Sequence, residues 1–205
     1  MQITMPRALP RQVTGPIVTV LARLGVTPNM LTVAQLAGGT VAGVAIADGR
    51  LLLGGVILIS SAFLDAVDGT LARTTGKATP FGGVFDSVID RLFEAVVFAG
   101  VLYHYLQQGD KAASMLAFVA MAGSMGVSYV RARAEGAGIE IYDGVFTRVV
   151  RLLFLTAGLL SGILVPVLWI LAVATVLTTL HRLYVVWDRF NVIEREKAKA
   201  RGEEP

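Results

Sequence analysis

Four carboxylates, Asp65, Asp68, Asp86 and Asp90, fall within 26 residues of a stretch that is otherwise apolar enough for a membrane. The run is Asp65-Ala66-Val67-Asp68-Gly69-Thr70-Leu71-Ala72-Arg73, then eight residues, then Gly82-Gly83-Val84-Phe85-Asp86-Ser87-Val88-Ile89-Asp90. One intramembrane Asp costs roughly 2.5–3.5 kcal/mol on insertion scales, so four would cost about 10 kcal/mol without counter-charges. Such a cluster needs cations among its members. At about 100° per residue, Asp65, Asp68, Gly69 and Ala72 share one helix face. Gly82, Asp86 and Asp90 recur at every fourth position of the next helix. The short polar linker from Arg73 to Phe81, with Gly76 and Pro80, makes the two helices an antiparallel hairpin whose acidic faces meet. Four carboxylates balance two divalent cations, and an all-oxygen donor set fits Mg²⁺ or Mn²⁺ with positions left open for phosphate oxygens. Gly69 and Ala72 let a ligand approach the backbone, and Arg73 at the helix end suits a phosphate. Together these residues point to a diphosphate.

The elements that must position them are membrane helices. The chain has 205 residues, 55% of them hydrophobic and 16% charged, with a mean hydropathy of +0.68, a balance expected of an all-α integral membrane protein. The lack of cysteine excludes disulfides, thiol nucleophiles and thiolate metal sites. Stretches of about 20 apolar residues predict six transmembrane helices, over roughly 29–47, 51–73, 83–106, 113–133, 148–164 and 166–187. Arg7, Arg11, Arg23, Arg73, Lys77, Arg131, Arg133, Arg148, Arg151, Arg182 and the basic residues from Arg189 to Arg201 fall on one side of this layout, against Arg50 and Lys111 on the other. The positive-inside rule then makes both termini cytoplasmic. Pro6, Pro10 and Pro16 argue against a cleavable signal. Residues 1–25 read as an N-terminal interfacial amphipathic helix, with Ile17, Val18, Val20, Leu21 and Leu24 mostly on one side. Residues 26–187 form the membrane domain and 188–205 a charged cytoplasmic tail, a solvated helix with no nucleic-acid site. Gly39 with Gly43, and Gly158 with Gly162, have the spacing that brings membrane helices together. His104 and His181 read as interfacial.

The segment from Asp65 to Asp90 resembles the D-x2-D-G-x2-A-R-x8-G-x3-D-x3-D signature of the CDP-alcohol phosphotransferases at every fixed position. The run Gly25-Val26-Thr27-Pro28-Asn29-Met30-Leu31-Thr32 is similar to the lead into that family's first transmembrane helix. The resemblance implies that an alcohol displaces CMP from a CDP-linked lipid such as CDP-diacylglycerol. It further implies two Mg²⁺ or Mn²⁺ ions per subunit: Asp65 and Asp86 bridge them, Asp68 binds the first, and Asp90 binds the second and serves as general base. Pro28, Asn29, Met30, Leu31, Gly69, Ala72, Arg73, Thr79 and Gly82 would contact the CDP-lipid. A homodimer in the cell membrane, with its active site facing the cytoplasm, is also expected on this ground.

Arg131 and Arg133, then Arg148 and Arg151, gather cationic side chains at the cytoplasmic ends of the fourth and fifth spans. They suit a small phosphorylated alcohol acceptor. Their placement resembles the phosphatidylinositol-phosphate synthase branch, which uses inositol phosphate, although Val149 and Val150 stand where that branch commonly has Pro and Glu. A phosphatidylglycerol-phosphate synthase using glycerol 3-phosphate is the alternative within the family. A six-helix cation transporter or channel, with the four aspartates as its ion path, is the alternative outside it.

Overall fold

The computed structural model describes residues 11–141 and 146–201. The first ten residues of the expected interfacial segment, and residues 202–205 of the tail, lie outside the described residues. Among the described residues seven helices follow one another: α1 Arg11–Arg23, α2 Pro28–Ala47, α3 Leu51–Thr74, α4 Pro80–Gln107, α5 Lys111–Gly136, α6 Arg148–Ser161 and α7 Leu164–Ala200. Four of them, α2, α3, α5 and α7, are long and apolar enough to cross a bilayer. The six expected spans therefore divide into these four and two others. α4 has ample length at 28 residues but carries Asp86, Asp90, Arg91 and Glu94 between its N-terminus and its middle. α6 has 14 residues, short of the about 20 that a straight crossing needs.

Local chemistry sets the helix ends. Thr27 and Thr79 cap α2 and α4, their hydroxyls accepting from the backbone N–H of Met30 at 3.3 Å and of Gly82 at 2.9 Å. In each case a proline follows, its fixed φ suited to the first helical turn and its missing N–H harmless there. Asp110 caps α5 through Ala113 N–H at 2.9 Å. Gly162, with φ of 74°, ends α6 in the left-handed conformation that glycine adopts without strain. Within the subunit it is a helix cap with open space beside it, while Gly158 packs against Val167 of α7. The expected sixth span and charged tail are one continuous helix of 37 residues, about 55 Å long at 1.5 Å per residue.

The expected antiparallel hairpin of α3 and α4 is not a packed pair: α2 takes both as its neighbours, its Gly38 close to Ser61 of α3 and its Gly39 and Gly43 close to Phe93 and Val96 of α4. α2 packs on α3 and α4, α5 packs on α7 and α4, and α6 bridges α3 and α7. One apolar core runs through all six, including Ile46, Leu58, Phe93, Phe98, Leu155 and Leu168. Gly39 and Gly43 both face α4: a β-carbon on Gly39 would strike the Phe93 ring, and one on Gly100 would strike the Gly43 carbonyl. Backbones touch here without side chains between them, as small residues allow. Gly100→Ala is therefore expected to destabilise the bundle by about 1–3 kcal/mol through overpacking, read as a lower Tm in detergent. A Tm equal to wild type would mean that α2 and α4 can part freely. Gly123 and Gly126 of α5 meet Thr175 and Thr179 of α7 in the same manner.

α1 lies on α3, with Val18 and Leu21 packed among Leu31, Val67 and Leu71. Ile17, Val20 and Leu24 remain exposed, so only part of the apolar side expected of α1 is used within the protein. At the end of the bundle remote from the aspartates, His104 is buried beside Gly49, its Nε2 2.7 Å from Gln108 Nε2.

Candidate active site

The carboxylates come from α3 and α4. Asp65 and Asp68 sit one turn apart near the end of α3, and Asp86 lies in the second turn of α4. Oxygens of Asp65, Asp68 and Asp86 all lie within 4.8 Å of one another. Asp68 is buried and accepts from Thr32 Oγ1 of α2 at 2.8 Å. Asp86 Oδ1 is buried without a hydrogen-bond partner among the described residues. Three clustered carboxylates, one holding an orphaned buried oxygen, form a donor set that fits a hard divalent cation.

Asp90 stands apart from this triad. It lies one turn beyond Asp86, where Arg148 Nη1 donates to its Oδ2 at 2.8 Å and Gln35 Nε2 to its Oδ1 at 3.4 Å. Arg148 also bonds Asp65 Oδ1 at 3.0 Å, and its guanidinium lies 5.7 Å from the Phe93 ring centroid. Arg148 thus serves two of the four carboxylates, and a divalent cation held by the triad would add further positive charge among them.

The residues expected to contact a CDP-lipid surround the same end. The N-termini of α2 and α4 adjoin: a β-carbon on Gly82 would lie 3.0 Å from Thr79 Oγ1 and 3.7 Å from Asn29 Oδ1. Two helix N-termini side by side offer backbone N–H groups and positive dipole ends to an anion. Pro28 is half-buried, Asn29 and Met30 are exposed, and Leu31 is buried against Val67 and Leu71. The exposed Arg73 guanidinium lies over Gly69, with Nη2 3.4 Å from Thr70 Oγ1, and Ala72 is half-buried beside it.

A cavity of ≈ 250 Å³, with Asp90 but not Asp86 in its lining, opens among α4, α5, α6 and α7. Five arginines line it: Arg91, Arg131, Arg148, Arg151 and Arg182. Three of the expected acceptor residues are thus brought to it, whereas Arg133 is exposed and outside its lining. The cations are not equally available. Arg131 pairs with Glu135 at 2.8 Å at the rim. Arg151, 1% exposed, meets Glu94, 2% exposed, through Nε at 3.3 Å and Nη2 at 2.9 and 3.0 Å. It also donates to Phe146 O at 3.1 Å and Ser128 Oγ at 3.3 Å. Its charge is already matched inside the protein.

Thr32, Gln35, Arg91, Glu94, Ser128 and Arg182 belong to the site by position, and the sequence reading did not assign them to it. Arg91 reaches from α4 to Ser128 O of α5 at 3.1 Å, and Arg182 donates from α7 to Val127 O at 2.8 Å. Glu94 continues the every-fourth-residue series of Gly82, Asp86 and Asp90, and Thr32 and Gln35 are two polar residues a turn apart in an apolar helix. Those spacings were the available signals.

Residues 25–180 match the family model described as CDP-alcohol phosphatidyltransferase. The chain is 32% identical to the phosphatidylinositol phosphate synthase of Mycobacterium tuberculosis over 97% of each chain. It is 37% identical to the archaetidylinositol phosphate synthase of Pyrococcus horikoshii over 84% of this chain and 89% of that one. Its fold superposes on a crystal structure of the M. tuberculosis phosphatidylinositol phosphate synthase with CDP-DAG bound, with a TM-score of 0.81 at 29% identity, covering 86% of this chain and 94% of that one. A second crystal structure of that synthase, in complex with manganese and citrate, gives a TM-score of 0.79 at 30% identity over 85% and 88%.

Proposed function

The chain belongs to the CDP-alcohol phosphatidyltransferase family, and we propose that within it the protein joins inositol 1-phosphate to CDP-diacylglycerol, giving phosphatidylinositol phosphate and CMP. It is a membrane transferase of phospholipid synthesis that uses a divalent metal. The observation that supports the acceptor reading is the placement of Asp90, which lines the arginine-rich cavity and is joined through Arg148 to Asp65 of the Asp65–Asp68–Asp86 triad. A phosphorylated polyol in that cavity would put its anionic group among guanidinium donors and a hydroxyl near a carboxylate.

The reaction divides among the chain's own residues. Asp65, Asp68 and Asp86 hold the metal, with Asp90 as a further ligand when two ions bind. Once bound, Mg²⁺ or Mn²⁺ neutralises the diphosphate and polarises the β-phosphoryl group. The paired N-termini of α2 and α4, with Arg73 over Gly69, bind the CDP part of the donor. Thr32 orients Asp68, and Gln35 orients Asp90. Asp90 takes the proton of the acceptor hydroxyl as its oxygen bonds to the β-phosphorus, and the bond from that phosphorus to the bridging oxygen breaks to release CMP. Asp90 must stand within about 3 Å of the hydroxyl, directly or through one water.

In this reading α4 and α6 complete a six-span bundle, the acid and arginine end faces the cytoplasm, and α1 lies in the headgroup region with Ile17, Val20 and Leu24 toward lipid. The basic residues at that end support the orientation. A homodimer is proposed from the family resemblance alone. The cation-path interpretation of the aspartates gives way to family membership.

The test is acceptor-dependent CMP release by the purified protein with CDP-diacylglycerol and Mg²⁺ or Mn²⁺. Inositol 1-phosphate is expected to support release well above glycerol 3-phosphate, serine or inositol. A preference for glycerol 3-phosphate would reassign the acceptor, and no release with any of the four would overturn the lipid-synthase reading.

A further inference from the structure

Arg148 stands where the two parts of the site meet. Its Nη1 bridges Asp65 and Asp90, and its side chain also forms part of the cavity wall. Its Nε and Nη2 are buried and have no hydrogen-bond partner among the described residues. Buried guanidinium donors are normally paired, and Arg151, three residues on, shows the ordinary arrangement, with Glu94, Phe146 and Ser128 around it. Arg148 is therefore an arginine with donors to spare.

Asp65 has two claimants. It belongs to the triad that fits a divalent cation and it also holds Arg148 at 3.0 Å. A guanidinium and a divalent cation on one half-buried carboxylate are like charges at short range with little water to screen them. Arg148 has somewhere to turn, because the cavity beside it is lined by further arginines suited to an anion.

We propose that Arg148 is a shared counter-ion that couples the metal site to the acceptor site: it yields Asp65 and Asp90 to the divalent cation and then presents its guanidinium to the acceptor's anionic group in the cavity. The same movement frees the Asp90 oxygen that Arg148 holds, so the base becomes available only when its cation and acceptor sites are engaged. This rests on the reading of the metal and acceptor sites given above. Because coupling between binding sites is reciprocal, the acceptor tightens the metal by the factor with which the metal tightens the acceptor.

Mn²⁺ binding to the full-length protein in detergent, followed by the electron paramagnetic resonance signal of the free ion with and without inositol 1-phosphate or glycerol 3-phosphate, tests the coupling. Wild type is expected to bind Mn²⁺ about 5- to 20-fold more tightly with the preferred anion present. Arg148→Gln should bind Mn²⁺ at least about fivefold more tightly than wild type without any anion, and should lose the enhancement. Arg148→Lys keeps the competing charge and should match wild type in the absence of anion. Unchanged Mn²⁺ affinity in Arg148→Gln, tightened affinity in Arg148→Lys, or no enhancement by either anion in wild type overturns the coupling. Asp86→Asn separates the two levels. If it abolishes Mn²⁺ binding while Arg148→Gln behaves as wild type, only the coupling fails. If it leaves Mn²⁺ binding intact, the metal site itself is misassigned and the coupling fails with it.

Discussion

Asp90→Asn lowers kcat for acceptor-dependent CMP release by about 10²- to 10⁴-fold, the range that a positioned general base contributes, while Mn²⁺ still binds through Asp65, Asp68 and Asp86. The side chain is nearly isosteric, and its amide oxygen can still accept from Arg148 Nη1, which lies 2.8 Å from Asp90 Oδ2. Packing at the α4–α6 contact therefore survives. What is lost is an atom able to take a proton. Steady-state kinetics with CDP-diacylglycerol and inositol 1-phosphate, paired with an Mn²⁺ titration, checks both halves. A kcat within tenfold of wild type removes Asp90 as the base, and a collapse of all Mn²⁺ binding moves it among the essential ligands.

The second large effect is on stability. Glu94→Gln leaves the guanidinium of Arg151, 1% exposed, without its counter-charge. Breaking a buried ion pair by removing one partner costs about 3–5 kcal/mol, on the order of a 10 °C drop in Tm for a chain of this size. Replacing both partners, Glu94→Leu with Arg151→Met, should regain most of the loss, because an apolar pair of similar volume carries no desolvation cost. Thermal unfolding in detergent reads the series, and a Glu94→Gln Tm within about 2 °C of wild type means that the pair bears no strain. The double variant also asks whether Arg151 binds the acceptor. A wild-type KM for inositol 1-phosphate would make Arg151 a strut between α4 and α6, and a raised KM would give it a share in the cavity.

The acidic cluster was legible because its members are neighbours in sequence, where helix geometry decides which face each occupies, but the hairpin was not, since α3 and α4 each pack on α2 rather than on one another. The cavity was not legible to that extent. Its arginines come from four helices, and the Glu94–Arg151 pair closes across 57 residues, a contact that only the tertiary packing can make. Arg131 and Arg133 show the limit within a single helix. Residues two apart point about 200° from one another, so when Arg131 lines the cavity Arg133 faces away. Arg148 and Arg151, three apart, share a face and both turn inward. The long α7 escaped a reading by composition because its apolar and charged halves join with nothing to break the helix, neither Gly nor Pro intervening between Val167 and Ala200.

At Gly43 and Gly100 the backbones of α2 and α4 meet directly, with no side chain available to change rotamer and absorb a shift. A contact of that kind leaves those two helices little room to shift against each other, and the aspartates and the paired N-termini are carried by them or by α3 beside them. Opening of the cavity to admit a polar molecule must then come from α5, α6 and α7, whose tie to that pair at this end includes the charged bridges of Arg91, Arg148 and Arg151. The bond-making half can thus stay fixed while the recognising half adjusts, and a change of acceptor would require new residues only on the side that moves.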